Sequence, residues 1–104
     1  MPRRKKSSHW QGGDRVLDAP VASSIDLHGL TAAEATVQLH SFMTTACRLH
    51  RGKVIRIITG RGRGSASGPV LRPTVARLLK GPLSVFVADF SIGVDEGSYL
   101  VLLK

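Results

Sequence analysis

Residues 21–31 read VASSIDLHGLT and join a strand-like run to the start of a helix. In an extended chain Asp26 and His28 would point to the same side, away from the apolar residues beside them. Gly29 permits a sharp turn, and residues 31–34, TAAE, match the capping box that begins many helices. The stretch therefore predicts a strand, a tight turn and a helix, with two polar side chains at the end of the strand.

A second junction of this kind lies at residues 53–64, which read KVIRIITGRGRG. Its first half is almost continuously apolar, which predicts a central strand over residues 53–59. Between the two strands, apolar residues recur at helical spacing from Thr31 until Gly52 ends the helix. The predicted buried stripe of this helix consists of Ala35, Leu39, Phe42, Ala46 and Leu49.

The remainder of the chain predicts a second helix and a hairpin. After a glycine-serine loop over residues 60–68, a helix begins at Pro69 or Pro73 and runs to about Lys80. Its predicted inward residues are Val75, Leu78 and Leu79. Residues 83–90 and 98–103 read as strands, and the short turn between them favours an antiparallel pair.

The order β-α-β-α-β-β predicts an α/β fold, a two-layer sandwich with a mixed four-stranded sheet and two helices. We assign residues 21–104 to this domain and residues 1–20 to a basic disordered tail, because the tail is polar and shows no apolar period. A strand-helix-strand crossover sets the first two strands parallel, so their C-terminal ends share one edge of the sheet. Ligands collect at that edge, and we expect both turns to form one site there.

Charge is distributed unevenly along the chain. The 104 residues carry a net charge of +8, and the interval between Glu34 and Asp89 holds nine lysines and arginines but no acidic residue. A block of one sign predicts a polyanionic partner, most often nucleic acid. The alternative is a basic surface that serves solubility alone.

Several features bear on location and cofactors. No apolar run approaches the ~20 residues of a membrane span, so no membrane partner is expected. The single cysteine, Cys47, cannot form an internal disulfide, which favours a reducing compartment and a cytoplasmic location. The acidic residues of the domain are scattered, so we expect no metal site and no cofactor.

The two turns differ in the chemistry they offer. In the glycine loop, backbone amides can approach an anion closely, and Arg61 and Arg63 can bind phosphate oxygens; the alternative is a plain flexible connector. In the first turn, the Asp26 carboxylate can orient the His28 imidazole, a group that moves protons near neutral pH; the alternative is a structural histidine.

Together these segments resemble the Smr (small MutS-related) domain family. The resemblance rests on residues 26–31 (DLHGLT), 57–62 (IITGRG) and 97–104 (GSYLVLLK), with further matches at 64–65 and 70–73. It implies a β-α-β-α-β-β sandwich that binds nucleic acid. Several members are endonucleases on DNA or RNA, and some stand-alone bacterial members cleave mRNA at stalled ribosomes. Where some members carry a second histidine, this chain has Thr59.

The resemblance and the residues together indicate one set of site residues. The candidate catalytic residues are Asp26, His28 and Arg61, and the candidate nucleic-acid or phosphate-binding residues are Thr59, Gly60, Gly62, Arg63, Gly64 and Arg72. The leading hypothesis is an Smr-type endonuclease, with RNA favoured over DNA and the ribosome as a further candidate partner. The alternatives are a nucleic-acid- or ribosome-binding module without catalysis and a small protein–protein adaptor.

Overall fold

The computed structural model describes residues 19–60, 68–93 and 97–104, and within them the predicted element order is confirmed. The strands and helices, in chain order, are β1 (Val21–Asp26), α1 (Ala32–Leu49), β2 (Val54–Ile58), α2 (Gly68–Lys80), β3 (Val87–Ile92) and β4 (Ser98–Leu103). A short 3₁₀ turn, Ser84–Phe86, precedes β3.

The strands form one mixed sheet in the order β1-β2-β4-β3. β1 is parallel to β2, while β4 is antiparallel to both of its neighbours, β2 and β3. The parallel first pair and the C-terminal hairpin are therefore confirmed. In the β1–β2 register Asp26 lies beside Ile58, so the two strands end together.

Helix α1 begins as its sequence predicts. The Glu34 amide donates to Thr31 Oγ1 at 3.1 Å, and the Thr31 amide donates to Glu34 Oε1 at 2.9 Å, which completes the capping box. Each bond satisfies an amide that the first helical turn leaves without an intrahelical partner. Because the turn after β1 leads directly into this cap, the start of α1 is fixed close to His28.

The buried stripe of α1 differs from the prediction at two positions. Ala35, Leu39, Met43 and Ala46 are buried, whereas Phe42 is half-buried and Leu49 is 68% exposed. At 3.6 residues per turn, Leu49 lies about 75° around the helix from the centre of the observed stripe. The prediction for Leu49 was wrong because it placed Phe42, instead of Met43, in the buried stripe of the helix.

Two predictions for the second half of the chain are also corrected. Helix α2 runs from Gly68 through Pro73 without a break, so neither proline marks its first residue. The third strand begins at Val87 instead of residue 83, because residues 81–86 form local turns. In these turns the Leu83 amide donates to the Leu78 carbonyl at 2.9 Å, and the Leu83 side chain is buried in the core.

Both helices pack on one face of the sheet. The core contains Leu27, the α1 stripe, Leu71, Val75, Leu79 and Leu83, and the alternate sheet residues Ile55, Ile57, Tyr99, Val101 and Leu103. Leu78, the third predicted inward residue of α2, is half-buried against this core. Alternation along the strands places the remaining sheet residues on the opposite face.

The opposite face carries a smaller apolar cluster. Val54 and Leu100 are buried there, and Ala19 and Leu102 pack against them. The predicted tail, residues 1–20, lies outside the described residues except for Ala19 and Pro20. Among the helices of the described ranges, none is long and apolar enough to cross a membrane.

Candidate functional site

The turns that follow β1 and β2 are in contact at one edge of the sheet. The Leu27 amide donates to the Ile58 carbonyl at 2.7 Å, one residue beyond the last paired residues of the two strands. A Cβ built on Gly60 would lie 3.5 Å from the Cβ of His28. The expectation that the first two turns lie side by side is confirmed as far as Gly60, where the described part of the second turn ends.

Asp26 holds the His28 imidazole in a fixed orientation. Asp26 Oδ1 accepts hydrogen bonds from His28 Nδ1 at 2.6 Å and from the His28 amide at 3.0 Å. The side chains are 70% and 51% exposed for His28 and Asp26. Because Nδ1 donates to the carboxylate, neutral His28 carries no proton on Nε2, and no group in the described part of the chain meets that atom. The pair thus offers solvent an oriented proton acceptor.

The electrostatics of the pair follow from the same contacts. The hydrogen bond from the His28 imidazole holds the pKa of Asp26 below its ordinary value, and the His28 amide and charge act in the same direction. Partial burial opposes these effects. Asp26 is therefore ionised at neutral pH, where its carboxylate accepts the hydrogen bond that orients the imidazole.

Thr59 and Gly60 are held from within the protein. The Thr59 side chain is buried, with the residue only 1% exposed, and its hydroxyl donates to the Gly60 carbonyl at 3.1 Å. The amides of both residues donate to the carbonyl of Gly97 at 2.9 Å. The Gly60 amide is therefore satisfied within the protein, because the chain entering β4 supplies its acceptor. A role for these two residues in phosphate binding stays a prediction, and these amides are not free for it.

Arg72 is tied to the same end of the sheet through Tyr99, a residue for which the sequence predicted no role. The Tyr99 hydroxyl donates to the Arg72 carbonyl at 3.1 Å. Tyr99 follows Ser98, which pairs with Ile58 at the end of β2. Tyr99 also packs edge-on against Phe90, with ring centroids 5.8 Å apart. The sequence did contain a signal for this contact, since its single tyrosine falls in the last predicted strand. A buried tyrosine hydroxyl usually finds a hydrogen-bond acceptor.

The remaining predicted site residues, Arg61, Gly62, Arg63 and Gly64, lie outside the described residues, so their roles stay predictions. Within the described ranges, no three His, Cys, Asp or Glu side chains come together as a metal site would require. In the same ranges no lysine or arginine side chain forms an ion pair with a carboxylate.

Comparison with known proteins identifies similar chains. The family model described as Smr domain matches residues 25–104. An uncharacterized protein of Treponema pallidum (strain Nichols) is 38% identical over 79 residues, which cover 75% of this chain. The match covers 39% of that relative, so this chain spans well under half of the relative's length.

Two solved structures have a similar fold. The crystal structure of the Smr domain of Thermus thermophilus MutS2 has a TM-score of 0.66 at 25% identity, covering 80% of this chain and 99% of that chain. The solution structure of the SMR domain of NEDD4-binding protein 2 has a TM-score of 0.58 at 30% identity, covering 78% and 84% of the two chains.

Proposed function

This chain belongs to the Smr domain family, a nucleic-acid-binding family with some endonuclease members, and on that premise we propose that it is an endonuclease that cuts RNA. The observation that carries the proposal is the Asp26–His28 pair. An imidazole fixed through Nδ1, with Nε2 open to solvent, lies beside the turn that begins the glycine loop. Such a group can remove a proton from a bound substrate.

The 2′-hydroxyl of RNA supplies the nucleophile that the proposal needs. His28 Nε2 takes the proton of the 2′-hydroxyl, and the 2′-oxygen attacks the neighbouring phosphorus. The bond between phosphorus and the 5′-oxygen breaks, that oxygen takes a proton from water, and the hydroxide left behind takes back the proton held on His28 Nε2. The products are a 2′,3′-cyclic phosphate and a free 5′-hydroxyl, so the atoms and charges balance.

The cations complete the proposed site. In the bound complex Arg61, with Arg63 and Arg72, contacts the scissile phosphate and stabilises the negative charge that grows on its oxygens. Asp26 keeps the imidazole oriented through its hydrogen bond to Nδ1.

Incubation of purified protein with labelled single-stranded RNA and duplex DNA, with and without EDTA, tests the activity. We expect RNA to be cut in EDTA to a cyclic-phosphate end, and a 2′-deoxy residue at the cleaved position to block that cut. His28→Ala lowers the rate about 10²-fold or more, the usual contribution of a positioned acid or base. His40→Ala, an exposed histidine on α1, is the matched control and leaves the rate unchanged. Strict magnesium dependence, or equal cutting of DNA, contradicts the mechanism.

The resemblance to the family also suggests a cellular setting. We propose the ribosome as partner, mRNA at stalled ribosomes as the substrate, and the cytoplasm as the location. Purified stalled polysomes are the test substrate. Faster cutting of ribosome-bound mRNA than of the same naked mRNA supports this setting, whereas equal rates contradict it.

One observation favours a second function, nucleic-acid binding without cleavage. Some family members carry histidine at the position of Thr59, whose side chain here is buried. Among the histidines that the structure describes, His28 is then the one at this edge of the sheet, because His40 lies on α1 and His50 lies just after it. Under this reading, affinity falls steeply with salt while purified RNA stays intact over long incubation.

A further inference from the structure

A second candidate site lies in a pocket at the other end of α1 from the Asp26–His28 pair. The pocket has a volume of about 430 Å³ and is lined by Cys47, Arg48, Arg51, Val85, Phe86 and Lys104. Helix α1 begins next to the His28 turn, and its 18 residues span ~27 Å. The Lys104 amide donates to the Phe86 carbonyl at 3.1 Å, which fixes the end of β4 against this pocket.

The electrostatics of this basic pocket favour an anion. Three of its six lining residues have cationic side chains, none has an acidic side chain, and all three cationic residues are exposed. The acidic residues of the described ranges are engaged elsewhere: Asp26 by His28, Glu34 in the α1 cap, and Asp89 by the Phe90 amide. Three positive charges around one pocket repel one another, and a phosphodiester relieves that repulsion.

The remaining lining residues add an apolar surface. Val85 is 64% exposed and Phe86 is half-buried, so both present apolar area to the pocket. The Cys47 thiol donates to the Thr44 carbonyl at 3.1 Å. Cations beside aliphatic and aromatic groups suit a nucleotide, with the phosphate on the guanidinium groups and the base on the apolar side.

We propose that the basic pocket is a second nucleic-acid contact, which binds a nucleotide of the same RNA that the Asp26–His28 pair cuts. This inference rests on the proposed function and adds a length requirement to it. At the ~3.4 Å rise per nucleotide of one strand of a DNA duplex, ~27 Å corresponds to about 8 stacked nucleotides. A substrate must therefore extend about that far from the scissile phosphate to occupy both sites.

Binding of 2′-O-methyl RNA, which lacks the internal nucleophile, tests the proposal by fluorescence anisotropy over a salt series. The variant Arg48→Gln/Arg51→Gln is compared with Arg56→Gln/Arg77→Gln, which removes two exposed arginines that do not line the pocket. On a strand of about 16 nucleotides we expect the pocket variant to bind about 10-fold more weakly than the control, with a salt slope shallower by about 1–2. On a strand of about 4 nucleotides, too short to reach both sites, the two variants bind alike.

A second pair of variants keeps every cation. Val85→Glu places a carboxylate in the pocket, and Val37→Glu is the matched control on α1, at 69% exposure. Val85→Glu weakens binding of the long strand and Val37→Glu does not. Circular dichroism confirms that both variants are folded, since each replaces an exposed side chain.

The outcomes separate this proposal from the proposed function. If the wild-type protein binds and cuts RNA, and the pocket variant binds it as tightly as the control variant does, only the proposal for the basic pocket is overturned. Equal losses on the long and short strands overturn it too. Wild-type protein that binds no RNA overturns both proposals.

Discussion

Replacing Asp26 by asparagine tests whether the carboxylate positions His28. The substitution keeps the shape of the side chain but removes the charge from the oxygen that accepts from His28 Nδ1 at 2.6 Å and from the His28 amide at 3.0 Å. A hydrogen bond to a charged group is worth about 1.5–3 kcal/mol. Since the Asp26 side chain is 51% exposed, solvent screens the pair and the lower value applies. A loss of about 1.5 kcal/mol in the transition state corresponds to a roughly 10-fold slower cut.

The assay is single-turnover cleavage of labelled RNA, measured across pH and alongside thermal unfolding. Asp89→Asn is the matched control, because Asp89 also accepts a backbone amide, that of Phe90 at 2.8 Å, but lies away from His28. We expect Asp26→Asn to slow cleavage and shift its pH profile, while Asp89→Asn changes neither. Cleavage by Asp26→Asn at the wild-type rate with an unchanged pH profile would refute the positioning role.

Three further predictions concern stability. The pKa of Asp26 is lowered in the folded state, so the ionised carboxylate stabilises the protein. This contribution to the unfolding free energy is present above the ordinary carboxyl pKa of ~3.9 and is lost as the pH falls through the lowered value. The unfolding free energies of wild type and Asp26→Asn, measured by urea titration, should therefore differ at pH 7 and converge in strong acid. Gly60→Ala and Gly29→Ala, with φ of +81° and +82°, should each cost about 1–2 kcal/mol, and unequal costs would show that the contact between residue 60 and His28 adds strain. Tyr99→Phe removes the hydroxyl that donates to the Arg72 carbonyl and should cost about 1 kcal/mol in urea unfolding; no loss would mean that this bond adds nothing to stability.

Local patterns account for what the sequence predicted well. The capping box at Thr31 and Glu34 is complete within four residues, so the start of α1 could be read directly. The contact between the two turns also followed, because a parallel pair brings the ends of its strands to one edge. The Asp26–His28 bond spans two residues and needed only extended backbone.

Contacts between distant segments account for what the sequence could not predict. The acceptor for the Gly60 amide is the carbonyl of Gly97, which becomes a neighbour only when β4 pairs with β2. The Tyr99–Arg72 bond joins residues 27 positions apart and depends on how α2 lies over the sheet. The exposure of Leu49 was missed because apolar spacing alone does not distinguish neighbouring helical registers.

The carbonyl of Gly97 links the length of the β3–β4 hairpin to the position of the residues that follow β2. It accepts the amides of both Thr59 and Gly60, so the residue that precedes β4 is tied to the two residues that follow β2. An insertion or deletion in the hairpin just before Gly97 would move that shared acceptor and, with it, Gly60 relative to His28. Under the proposed function, a change in hairpin length alone then alters the cutting rate, without any substitution at Asp26 or His28.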